Sequence, residues 1–166
     1  MSGTSYRLDE TYVKVGTAWK YLYRAVDSAG NTIEFMLSAK RDISAAKRFT
    51  KLMLRADHRR SPFTISRDKH ASYPEAFAAS VKEKVLSFDC KLRRVKYLNN
   101  VIDQYHRAMR RRWRAAQCCR SFHTAERAIE GIEAMQMIRK GQVKRIDGRD
   151  VIGQMKFVES LFGIAA

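Results

Sequence analysis

The feature that most constrains this chain is a change of period about forty residues in. Three runs rich in β-branched and aromatic side chains come first: Tyr6 to Val15, Trp19 to Val26 and Thr32 to Ser38. Gly16-Thr17-Ala18 and Asp27-Ser28-Ala29-Gly30-Asn31 separate them. Short loops between β-rich runs leave room only for antiparallel neighbours, so a three-stranded meander is expected. Tyr6, Leu8 and Tyr12 fall on one face of the first strand; Trp19, Tyr21 and Tyr23 are able to stack on bases, but their alternation assigns these rings mainly to the core.

Helical spacing then takes over. Asp42 is the expected cap of a helix carrying Ile43, Ala46, Phe49, Leu52 and Met53 to about Arg55. After Pro62, Phe63 to Ser66 forms a short strand that ends at Asp68. Ser72 and Glu75 have capping-box spacing, and Phe77, Val81 and Val85 line the helix they open. Arg94 to Leu98 reads as a fifth strand, followed by a long helix from Asn99 or Asn100 to about Ala116. Another helix is expected with Thr124 as its cap, a stripe of Ala125, Ile129, Ile132, Met135 and Ile138, and a stop at Gly141. Residues 143–166 read as a helical tail whose face is Val151, Met155, Val158 and Phe162. The order β-β-β-α-β-α-β-α-α implies an α/β fold with a mixed five-stranded sheet flanked by helices, which matches ribonuclease-H-like architecture.

Charge narrows the function classes. Lys and Arg number 33 against 17 Asp and Glu, a net charge of +16, so a polyanion is the expected partner. Nucleic acid leads, ahead of an acidic membrane surface and of small anionic substrates. No apolar run approaches the ~20 residues of a membrane span, and Met1 to Tyr6 lacks the pattern of a signal peptide. Cys118 and Cys119 are adjacent and, with one further cysteine, form neither a disulfide framework nor a CxxC ligand pair, which points to a reduced, cytoplasmic setting.

In so basic a chain the isolated acids are informative. Asp9 stands mid-strand, where a carboxylate serves no turn; Asp68 follows the fourth strand; Asp103 opens the long helix. A single topological condition brings them together, namely that strand four lies beside strand one through a right-handed crossover. Three carboxylates would then suit two Mg²⁺ or Mn²⁺ ions clamping a displacement at phosphorus. The alternative leaves each acid structural: an ion pair for Asp9, a turn for Asp68, a helix N-terminus for Asp103. From Arg93 to Arg120 nine Lys and Arg accompany Asp103 alone, and Asp103, Arg107, Arg110 and Arg114 share one helical face. That stripe is a candidate phosphate track, and a solvated basic face is its bland counterpart.

Four ordered blocks then carry a resemblance. Asp9 to Val15, Trp19 to Asp27, Lys96-Tyr97-Leu98-Asn99-Asn100 and His123-Thr124-Ala125-Glu126-Arg127 resemble the catalytic region of bacterial insertion-sequence transposases of the IS-six family. The similarity extends through Met137 to Gln142, which implies a DDE catalytic core over residues 1–142 and a tail over 143–166. It implies Asp9, Asp68 and Asp103 as catalytic metal ligands, with 34 residues between the second and third as in the family. Local charge, rather than the resemblance, makes Lys69, Lys96, Arg107, Arg110, Arg111 and Arg114 the candidate DNA contacts. His106, three residues after Asp103, is a candidate to position a phosphate or a water, with a surface or core histidine as its alternative. The activity implied is Mg²⁺- or Mn²⁺-dependent cleavage and strand transfer at transposon ends in double-stranded DNA, by a homo-oligomer that synapses two ends.

Three departures accompany the resemblance. The family has Glu where this chain has Asp103, shorter by one methylene, and Mg²⁺–oxygen distances are held near ~2.0–2.1 Å. Tyr105 precedes His106 where relatives have an acid, and Cys118-Cys119-Arg120 replaces a Gly-Phe turn. Relatives also carry an upstream helix-turn-helix segment, so the sequence leads to the expectation of a truncated copy. A non-catalytic DNA-binding remnant and a stand-alone metal-dependent nuclease are the two competing readings.

Overall fold

The computed structural model describes residues 5–55, 62, 64–67, 72–84, 86–94, 111, 113 and 120–164. Five strands form one sheet in the order β3-β2-β1-β4-β5. They are β1 (Ser5–Val15), β2 (Ala18–Val26), β3 (Thr32–Ser38), β4 (Thr64–Arg67) and β5 (Lys91–Arg94). The described helices are α1 (Ile43–Leu54), α2 (Ser72–Lys82), α3 (Phe122–Arg139) and α4 (Val151–Leu161). Two compact units divide the chain, Met1–Glu126 and Arg127–Ala166.

In the first unit β1–β2 and β2–β3 pair antiparallel, whereas β1–β4 and β4–β5 pair parallel. The expected placement of strand four beside strand one is therefore met. Both hairpin turns have local causes. Gly16 adopts φ +58, and a Cβ there would lie 3.1 Å from the Arg120 carbonyl oxygen. At the second turn the N–H groups of Ala29 and Asn31 both donate to Asp27 Oδ1 at 2.8 Å.

Parallel strands need a crossover, and α1 supplies it. Asp42 caps α1 as expected, with the Ala45 N–H donating to Oδ1 at 2.7 Å. Its buried stripe is Ala45, Ala46, Phe49, Thr50 and Met53; Ile43, expected inside, is 38% exposed because it occupies the first turn. Ala45, Ala46, Phe49 and Met53 pack with Tyr6, Leu8, Tyr23, Ala25, Ile65, Leu86 and Cys90 into one core, and Phe77 and Val81 of α2 close against it. Lys51 Nζ of α1 reaches Glu83 Oε2, just past α2, at 2.8 Å.

Several boundaries differ from the sequence reading. β4 runs to Arg67 rather than Ser66. β5 begins at Lys91 instead of Arg94, because Leu92 is the apolar residue that pairs with Ile65. Residues 95–100 and most of the expected long helix lie outside the described residues, although Arg111 and Trp113 are helical. Trp19, assigned to the core, is 60% exposed and Tyr12 is 45% exposed, since both stand beyond the reach of α1.

The cap of α3 is Ser121, whose Oγ accepts the Thr124 N–H at 3.2 Å; Thr124 itself sits inside the helix. Gly141 stops α3 as expected, at φ +67. The Gln142 N–H reaches the Met137 carbonyl at 2.9 Å and the Gly141 N–H reaches Ile138 at 3.0 Å, a Schellman pair. The tail is not one helix from residue 143. A turn-rich segment leads to Asp150, which caps α4 through the Gly153 N–H at 2.8 Å. None of the residues of α4 is buried, so Val151, Met155 and Phe162 do not form a covered face.

Phe49→Ala is expected to destabilise the protein by about 3–5 kcal/mol in urea unfolding, against about 1 kcal/mol for Asp42→Ala. Burial pushes the Cys90 thiol from its ordinary 9.0 up to about 11. A raised folded-state value means the associated stability is present below pH 9 and is lost as pH rises toward about 11. Native Cys90 should therefore resist a thiol reagent at pH 8 and react once the chain is unfolded; rapid native labelling at Cys90 would contradict its burial.

Candidate active site

Alternation along β1 separates two neighbouring acids. Tyr6, Leu8 and Glu10 face the α1 core, while Arg7, Asp9, Thr11 and Val13 take the other side of the sheet. Glu10 is consumed structurally. Arg41 Nε donates to Glu10 Oε2 at 2.5 Å, and this partner raises the guanidinium pKa against the desolvation that opposes it. Burial, reinforced by Glu10, pushes the Tyr23 phenol well above its usual range.

Asp9 lies opposite Arg24 in the β1–β2 register. Arg24 is itself fully buried, its Nη2 donating to Thr32 Oγ1 at 2.7 Å. On the other edge, the β1–β4 ladder runs from Ser5↔Thr64 to Leu8↔Arg67. Asp9 is thus the first residue of β1 past the last described rung, and Asp68 is the residue that follows Arg67 in the chain. β1 continues to Val15 on β2 alone, so among the described residues its β4-side edge opens at Asp9. Ligands of open α/β sheets are held at the carboxyl ends of parallel strands, and this is such an end.

Of the sequence-based site residues, Asp9 and Arg111 are described, Arg111 exposed on a helical turn. Asp68, Asp103, Lys69, Lys96, His106, Arg107, Arg110 and Arg114 lie outside the described residues. Among the described residues no three His, Cys, Asp or Glu gather around one point. The sequence reading missed Trp113. Its Nε1 donates to the Lys14 carbonyl at 2.9 Å, fastening the arginine-rich segment to the far half of β1. The signal was present, an indole set within Arg111-Arg112-Trp113-Arg114.

A family profile described as a DDE domain matches residues 3–142. The transposase for insertion sequence-like element IS431mec of Staphylococcus aureus is 36% identical over 135 residues, covering 81% of this chain and 58% of that protein. The transposase for insertion sequence element IS257 in transposon Tn4003, from the same species, matches to the same extent. The chain therefore spans 58% of the length of the curated relatives it matches. Among solved structures, the HTLV-2 integrase catalytic core domain in complex with magnesium, dimeric form, superposes with a TM-score of 0.59 at 12% identity, covering 86% of this chain and 90% of that one. An integrase core is ribonuclease-H-like, and the strand order found here carries that fold. With the profile matched from the first strand to the stop of α3, the chain belongs to the DDE-domain family of insertion-sequence transposases, in its IS-six branch.

Proposed function

We propose that this chain performs the phosphoryl-transfer chemistry of DNA transposition: cleavage of a DNA strand at an insertion-sequence end and joining of that end to a target. The parallel β1–β4 ladder carries the reading, because it ends at Leu8↔Arg67, one residue short of both Asp9 and Asp68. Family membership supports Asp103 as the third ligand and residues 1–142 as the catalytic unit, with 143–166 as a tail.

A carboxylate set of this kind is all hard oxygen, the donor chemistry of Mg²⁺ or Mn²⁺, so Asp9, Asp68 and Asp103 fit the role of holding two such ions. When bound, the ions supply the positive charge that favours the attacking oxygen and the leaving oxygen of an in-line displacement. The chain's own residues do the rest. Arg107, Arg110, Arg111 and Arg114, with Lys69, Lys96 and His106, hold the phosphates of double-stranded DNA by charge. Two exchanges follow at phosphorus. Water cleaves one phosphodiester to free a 3′-hydroxyl, and that hydroxyl then attacks a target phosphodiester, whose own 3′ oxygen leaves.

The two ends of an element must be handled together, so the working form is a homo-oligomer. No described helix is long and apolar enough to cross a membrane, and a DNA substrate places the reaction in the bacterial cytoplasm.

Nicking and joining of a pre-cut end, with Mg²⁺ and with Mn²⁺, test the proposal. Asp9→Asn and Asp68→Asn should each lower the rate by about 10²–10³-fold, the scale for removing one charge-stabilising group. Asp103→Glu restores the longer carboxylate and should raise activity, more so in Mg²⁺, whose geometry is the stricter. A wild type that binds DNA but neither nicks nor joins, with Asp103→Glu equally inert, would instead establish a binding remnant. Nicking without joining would establish a nuclease.

DNA affinity should fall steeply with salt, and each arginine of the stripe replaced by Ala should reduce the log–log slope by about 1. A slope unchanged by Arg107→Ala and Arg110→Ala together would remove the stripe from the interface.

A further inference from the structure

On the face of the sheet opposite Asp9, beyond the edge of the α1 core, the β1–β2 hairpin presents aromatic rings to solvent. Tyr12 pairs with Tyr21 and Lys14 with Trp19, so all four side chains share that face. Trp19 is 60% exposed, Tyr12 45%, and Tyr21 half-buried. They are the wrong residues to leave in water without a use, since Tyr12 and Trp19 are the exposed large apolar side chains of β1–β3 and both are aromatic.

The two tyrosine rings are also held. Tyr12 and Tyr21 centroids lie 5.3 Å apart at 57°. Arg41 Nη1 donates to Tyr12 Oη at 2.7 Å, and the guanidinium carbon sits 5.6 Å from the ring centroid. Glu10 anchors Arg41 in turn. Trp19 stands two residues from Tyr21 on the same strand face, a stride of ~6.5–7 Å.

Cations continue from the rings. Lys14 is exposed next to Trp19, and Tyr21 pairs across to Ser38 at the end of β3. From Ser38 a groove of about 990 Å³ runs along Lys40, Ser44, Arg48, Lys51 and Arg55. Its acids are Asp42, engaged as the α1 cap, and Glu126. Aromatic rings at strand spacing, leading into a basic groove, are the two components of a surface for unpaired nucleotides.

We propose that this face binds single-stranded DNA, bases stacking on Trp19, Tyr12 and Tyr21 and the backbone following Lys14, Lys40, Arg48 and Arg55. A duplex hides its base faces and gains little from exposed rings. Tyr and Trp also serve protein interfaces, but the cations that continue from these rings along Lys40, Arg48 and Arg55 favour a polyanion. Because Asp9 is on the other face, the strand held here is distinct from the one proposed to be cut. The inference rests on the proposed DNA chemistry only for its choice of DNA as ligand.

The test uses the whole chain and a labelled oligothymidylate of about 15 nucleotides, within the span one such surface covers. Trp19→Ala and Tyr12→Ala should each weaken its binding by about 5–150-fold, the scale of one lost stacking partner. Trp19→Phe should recover most of that loss, and Lys40→Ala with Arg48→Ala should lower the salt slope. Affinity for a duplex of equal length should stay within about twofold in the aromatic variants, and thermal unfolding should be unchanged in Trp19→Ala, whose ring is the more exposed. Stacking should quench the tryptophan fluorescence of the wild type.

The proposal fails if Trp19→Ala leaves oligothymidylate affinity unaltered, if the ribose counterpart binds more tightly, or if the variant changes only the sedimentation of the protein, which would make the face a contact between copies. Asp9→Asn separates this outcome from the proposed catalysis. It should retain oligothymidylate binding while losing cleavage, and a chain that never cleaves can still pass or fail here.

Discussion

The four-residue parallel ladder between β1 and β4 is the contact on which the rest of the molecule turns. It joins a local meander to the second half of the chain, and it exists only because α1 covers the crossover. Tyr6, Leu8 and Ile65 on the ladder share one core with Phe49 and Met53 of the helix. A slip of one residue would exchange the two faces of β1, placing Asp9 against Phe49 and taking Leu8 out of the α1 core. The hydrophobic penalty of that exchange fixes the register, and the register fixes where the carboxylate stands.

The same alternation gives two adjacent acids opposite uses. Glu10 faces the core side and is neutralised by Arg41, whose remaining donor orients Tyr12. Asp9 faces the other side, at the point where β1 loses its β4 neighbour. One face of the hairpin becomes an electrostatically closed scaffold for aromatic rings, and the other opens beside the end of a parallel strand. The sheet thereby offers two surfaces of different chemistry, carboxylate on one and aromatic–cationic on the other, separated by the thickness of a strand. A net charge of +16 suits both proposed uses, since a polyanion is the partner each calls for.

Trp113 makes a long-range contact to β1. The arginine-rich segment has no apolar face of its own at Arg111 to Arg114 other than this indole. Its hydrogen bond to the Lys14 carbonyl ties that segment to the strand that carries Asp9. The bond joins residues 99 positions apart, and no periodicity announces it.

Local chemistry was enough to read the meander, the Asp42 cap and the Gly141 stop, because each depends on residues within about one turn of itself. The proposed acid set and basic stripe were drawn from the sequence alone, since acids isolated in a basic chain stand out; of them, Asp9 and Arg111 are among the described residues. Tertiary structure decided what alternation alone leaves open. Trp19 and Tyr12 have the pattern of core residues, yet lie outside because α1 ends its coverage at Tyr23 and Phe49. Thr124 looks like a cap, but Ser121 three residues earlier takes the role. The tail has an amphipathic stripe, but a stripe cannot specify a partner, and α4 buries none of it. Sequence determined which faces and ends exist; only the long-range packing of α1 on the β1–β4 ladder determined which of them meet solvent.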